Sequence, residues 1–152
     1  GVQGRAVTYM SGKAAIVHGV DPSIRVKEPA SYLFSSLDEL AGQVYDLVTS
    51  FAVFEHIPPF QLVDLLRRFY DMTPGNGMAF GTVPTPTSRP ILEFLSFKLR
   101  LIDPSQIRDH CVYYDDLWLR EIVGLAGWRL SRYRTFQLGL NSEFLLSKSD
   151  FA

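Results

Sequence analysis

Three places in the sequence gather residue types that do chemistry. In YDLVTSFAVFEHIPPF, residues 45–60, a carboxylate and an imidazole stand side by side as Glu55-His56, at the end of an apolar run and ahead of two prolines. Tyr45, Leu47, Val48, Val53 and Phe54 make that run strand-like, and Thr49 favours extended backbone. Ligands of open α/β sheets bind beyond the carboxyl ends of strands. An acid and a histidine there suit proton transfer or polar recognition, and His56 equally suits capping the next helix. The second place is VHGVDPS, residues 17–23, where Asp21 ends another apolar run. A carboxylate in that position accepts hydrogen bonds from both hydroxyls of a ribose. Asp21-Pro22-Ser23 also reads as a plain turn or helix cap. The third is GVQG at the start, where Gly1 and Gly4 precede a helix candidate, the setting in which backbone N–H groups approach a ligand closely. A flexible terminus is the bland alternative.

The elements that must position these groups alternate. A short helix is expected over residues 4–11, and strands over AAIVHGVD (14–21) and SYLFSS (31–36). PSIRVKEPA between them holds only a helical turn, and LDELAGQ after them is a turn. The strand at 45–53 is followed by an amphipathic helix over 59–72, with Leu62, Leu65, Leu66 and Phe69 at helical spacing and Pro59 in its first turn. A turn and strand occupy 73–84, and TPTSRP (85–90) is loop. ILEFLSFKLRLI (91–102) is an apolar helix whose broad face suits a core or dimer interface, with lipid contact as the alternative. Residues 103–114 are irregular and carry His110, Tyr113 and Tyr114. A helix over 115–128 turns Leu117, Leu119, Ile122, Val123 and Leu125 inward and stops at Gly127. Two closing strands, 128–137 and 142–149, have only a short connection and form an antiparallel hairpin at one edge. The whole predicts one α/β domain over 1–152, Rossmann-like, with a mostly parallel sheet and helices on both faces.

The bulk properties narrow the function classes. The 152 residues are 47% hydrophobic and 20% charged, with net charge -1. That balance gives no electrostatic case for nucleic acid or an anionic membrane. The one cysteine, Cys111, excludes an intrachain disulfide and fits a reducing, cytoplasmic compartment. One cysteine and three scattered histidines make no zinc site. No apolar run approaches the roughly 20 residues of a membrane span, and the start lacks the apolar core of a signal peptide.

Taken together, GVQGR (1–5), IVHGVDPS (16–23), YDLVTSFAVFEHI (45–57), LLRRFYDMTPGNGMAFGTVP (65–84), YYDDLWLREIVGLAGW (113–128) and FLLSK (144–148) resemble the class I S-adenosylmethionine-dependent methyltransferases, in the subgroup that methylates small molecules. The resemblance covers nearly the whole chain, and its more specific part is the 46–56 block together with the PGNG turn. It implies S-adenosyl-L-methionine as cofactor and a small-molecule or saccharide-like acceptor. It implies that Gly4, with Gly1, belongs to the glycine loop, and that Asp21 binds the ribose with Pro22 and Ser23 flanking the adenine. Ser36 and Leu37 would lie near the adenine ring. Ser50, Phe51 and Ala52 would line the cofactor cleft, and His56 would face the space between cofactor and acceptor as the candidate base.

The chain departs from the family pattern in two ways. The first strand, which leads into the glycine loop and sits mid-sheet, is missing, so the domain reads as N-terminally truncated. The chain opens without an initiator Met. The two strands that would flank that strand then expose unpaired edges, which favours a homodimer through those edges. PSIRVKEPA is also too short for a full helix on the adenine side. The alternative function is accordingly a methyltransferase-like remnant that binds or oligomerises without catalysis. A nicotinamide dehydrogenase is disfavoured by the residues after the fourth strand.

Overall fold

The computed structural model describes residues 14–22, 33–88, 90 and 112–148. The helices expected over 4–11 and 91–102, with Gly1, Gly4, Cys111 and His110, lie outside the described residues. The chain divides into two compact units, Gly1–Gln43 and Val44–Ala152.

In the first unit, β1 (Gly19–Val20) pairs in parallel with β2 (Leu33–Phe34). β1 is shorter than the run 14–21 suggested, and β2 ends before Ser35-Ser36, which the run 31–36 included. The His18 ring meets Phe34 edge-on at 5.1 Å, which buttresses the pair. A single 3-10 turn, Leu37–Leu40, follows β2. Its start is well determined by sequence: Ser36 accepts from the Asp38 N–H, and Glu39 reaches back to the Ser36 N–H, a reciprocal cap of the terminal donors.

The second unit is a four-stranded sheet with two helices. β3 (Leu47–Phe51) pairs in parallel with β4 (Met78–Pro84), and the hairpin of β5 (Trp128–Phe136) and β6 (Asn141–Lys148) joins antiparallel. The strand order is β3-β4-β6-β5. Among the described residues the sheet is therefore mixed, with one parallel pair and two antiparallel ones, where a mostly parallel sheet was expected. The hairpin itself is as expected, and β6 enters it beside β4.

α1 (Pro59–Asp71) begins with proline at its first position, where the missing N–H costs nothing. Leu62, Leu66 and Phe69 are its buried face. α2 (Asp116–Leu125) is capped by Asp115, whose carboxylate accepts from the Trp118 N–H at 2.8 Å. It buries Leu119, Ile122 and Val123. Leu117 and Leu125 were expected inward, but they are 65% and 66% exposed. At 100° per residue Leu117 stands about 200° around the helix from Leu119, so one face cannot bury both. The loop expected over 85–90 is shorter than its prolines suggest, because Ser88 and Pro90 already have helical backbone.

Both helices pack on one face of the sheet. Strand alternation puts Ala79, Val83, Leu130, Phe144 and Leu146 on that face, all buried. The Trp128 indole N–H donates to the Leu66 carbonyl at 2.9 Å, tying β5 to α1. Tyr70 meets Trp128 edge-on at 5.3 Å, and the Lys148 ammonium lies 4.0 Å from the Tyr70 ring centroid. Each large apolar side chain buried there stabilises by roughly 1.5–3 kcal/mol relative to exposure. The other face carries Leu47 and Met78, which are in register, and Phe51, and these are 43%, 42% and 49% exposed.

Candidate functional site

Each unit presents part of the expected site at the carboxyl end of its strands. Asp21 directly follows β1, and its N–H donates to the Phe34 carbonyl at 3.0 Å. Because β1 and β2 are parallel, Asp21 and Ser35-Ser36 emerge at the same end of the pair. Asp21 is half-buried and Pro22 begins the turn beyond it. The structure thus brings Asp21, Pro22, Ser36 and Leu37 together. The Ser36 hydroxyl is engaged in capping. Glu39 accepts from the Ser35 hydroxyl and from the Ser35 and Ser36 N–H groups at 2.8–2.9 Å. Those bonds, the Ser35 hydroxyl first, hold its carboxyl below the usual range. Glu39 was not singled out in the sequence, although its place three residues after Ser36 is the capping-box signal.

In the second unit, Ser50 is half-buried and stands in register with Gly81. A side chain at Gly81 would collide with the Ser50 carbonyl and the Phe144 ring, so only glycine permits this approach. Phe51 ends β3 and meets Phe80 edge-on at 5.9 Å. Ala52 then takes φ of +51°, a left-handed conformation unusual for a residue with a Cβ, and its N–H donates to the Thr82 carbonyl at 3.0 Å. This kink, ahead of the prolines, is what turns the chain off the sheet. Val53 leads into a one-turn 3-10 helix, Phe54–His56. Phe54 is buried and stacks on Phe144 at 5.2 Å, Glu55 is buried, and His56 is exposed. Ser50, Phe51, Ala52 and His56 thus gather within about six residues of one strand end.

Glu55, paired with His56 at the strand end in the sequence but given no role of its own, turns out to be buried. It is 2% exposed, and its Oε2 has no hydrogen-bond partner. Burial pushes its carboxyl up from the usual range, while its own backbone and the neighbouring His56 pull the other way. Its adjacency to His56 was visible, but nothing in FEH says which of the two side chains turns inward. His110 lies outside the described residues. Tyr113 is half-buried and Tyr114 fully buried ahead of α2, which suits a covering role for Tyr114.

Residues 3–132 match the methyltransferase domain family. The chain belongs to the class I S-adenosylmethionine-dependent methyltransferase domains. No curated protein matches it. Among solved structures, the domain is similar to LepI C52A in complex with S-adenosylhomocysteine (SAH) and a substrate analogue, with a TM-score of 0.67 at 12% identity, over 96% of this chain and 40% of that one. It is similar to CalO1, a methyltransferase in calicheamicin biosynthesis, in its SAH-bound form, with a TM-score of 0.62 at 13% identity, over 98% of this chain and 46% of that one. It is also similar to magnesium protoporphyrin IX methyltransferase from Synechocystis PCC 6803 with bound SAH, with a TM-score of 0.52 at 14% identity, over 76% and 50%. At these identities the likeness is one of fold, and the domain spans half or less of each neighbour's length. Among the described residues no helix is long and apolar enough to cross a membrane.

Proposed function

We propose that this methyltransferase domain binds S-adenosyl-L-methionine and serves methyl transfer to a small-molecule or saccharide-like acceptor. The observation that supports it most directly is Asp21, half-buried at the carboxyl end of a parallel strand pair, beside the end of its neighbour strand. A carboxylate so placed fits a ribose diol, since it can accept two hydrogen bonds at once. The bound cofactor would supply an electrophilic methyl group. The work left to this chain is binding and orientation, which carry much of the rate in an in-line displacement. In the first unit Asp21 would hold the ribose, and Pro22 and Leu37 would offer apolar surface to the adenine; in the second, Ser50, Phe51 and Ala52 are the candidate cofactor-facing residues at the end of β3. Exposed His56 would take a proton from an acceptor that must lose one.

A second reading is a binding or oligomerisation module without catalysis. It is favoured by β3 being an edge strand among the described residues. An unpaired strand edge is a template for another strand, including that of a second copy. Calorimetric titration of the 152-residue chain with SAH separates the readings. Saturable binding that Asp21→Ala weakens at least tenfold supports the cofactor site. A chain folded by circular dichroism that takes up no SAH leaves the second reading in place.

A further inference from the structure

We propose that Glu55 is a positioning residue, whose inward side chain latches the Phe54–His56 turn and so holds the His56 imidazole at the open end of β3. The site role of His56 rests on the proposed function, but the latch does not. The turn is too short to hold itself. Its backbone bonds are His56 N–H to the Val53 carbonyl at 3.0 Å and Ile57 N–H to the Phe54 carbonyl at 3.1 Å, and Val53 gives no side-chain cap. Of the three side chains of the turn, Phe54 and Glu55 are buried and His56 is exposed. One stacked ring, Phe54 on Phe144, is a pivot about which so short a turn can swing. A second buried side chain beside it removes that freedom. The Glu55 carbonyl also accepts from the Val112 N–H at 3.3 Å, joining the turn to the segment that enters α2.

Burial disfavours the charged form of this carboxyl. An ionised carboxylate with an unpartnered oxygen in this core would cost far more than a neutral acid. β4, which packs against the turn, has no ionisable side chain. β6, reached through Phe144, contributes Glu143 and Lys148, and the residues ahead of α2 contribute Tyr113 and Tyr114. His56 is the neighbour whose charge acts on the carboxyl.

The test is the imidazole Cε1–H cross-peak of His56, assigned by loss in His56→Gln and followed in Glu55→Gln, Glu55→Ala and Glu55→Leu. A single sharp peak at the wild-type position in the Gln and Leu variants, with a shifted or multiple peak in an Ala variant of unchanged circular dichroism, supports the latch. Glu55→Leu fills the core and guards against an Ala variant that fails to fold. A wild-type peak in a folded Glu55→Ala, or a shifted or multiple peak in Glu55→Leu, overturns the proposal, because a buried side chain at this position would then not be what holds the turn. Added SAH gives a separate readout. If it moves the wild-type His56 peak, His56 belongs to the cofactor site. If SAH binds without moving the peak, the site role of His56 falls while the variant series still decides the latch.

Discussion

At the scale of single residues, the Glu55 carboxyl makes stability depend on pH. Its folded-state affinity for a proton is raised above the ordinary value of 4.5 by burial. The folded chain therefore holds that proton more tightly than the unfolded chain does. The stabilising contribution is full below the unfolded value and is lost as pH rises through the raised folded value, at about 1.4 kcal/mol for each unit of difference. Glu55→Gln, neutral throughout, lacks this loss. Urea unfolding of both proteins across the acid to neutral range should show wild-type stability falling relative to the variant as pH rises. Parallel curves would mean that Glu55 ionises as freely in the fold as out of it. The sequence placed Glu55 and His56 at a strand end correctly. It was silent on their opposite orientations, since those depend on a single turn of 3-10 helix and on Phe144, which arrives from a strand nearly ninety residues later.

At the scale of elements, the end of β3 is set by Ala52. A residue with a Cβ in the left-handed region is strained by roughly 1–2 kcal/mol. Ala52→Gly relieves that strain and adds freedom to the unfolded chain, so the two effects oppose and the midpoint in urea should stay within about 0.5 kcal/mol of wild type. Ala52→Val crowds the same φ with a branched side chain and should cost about 2 kcal/mol or more by the same measurement. Equal losses in both variants would show that the kink relaxes. No residue type announced this kink, whereas α1 was legible to within a residue because Pro59 and the 62, 66, 69 spacing agree. α2, expected over 115–128 with a stop at Gly127, spans Asp116–Leu125, so its existence and stop were legible but its orientation was not. Five apolar positions were available to it, and only the sheet beneath decides which three are buried.

At the scale of the molecule, β4 and β6 are the strands of the four-stranded sheet that are paired on both sides, while among the described residues β1 and β2 pair over two residues. Hydrogen exchange should therefore be slowest in 79–83 and 142–147 and fastest in 19–20 and 33–34. Equal protection in β1 would mean that it gains a partner in solution. The α/β class and the closing hairpin were legible from alternation and turn spacing. The position of β6 inside the sheet was not, because period-two patterning gives a strand's faces and never its neighbours. The same placement of β6 bears on how the sheet is assembled during synthesis. β6 comes later in the chain than both its neighbours, and among the described residues β5 has no other strand to pair with. As the polypeptide leaves the ribosome, β3 and β4 can join while β5 waits as an orphan. The sheet closes only when residues 141–148 emerge and wedge between strands already made. That late, long-range insertion is slow by the logic of loop closure, and until then the chain's stickiest edges stand open to other nascent chains.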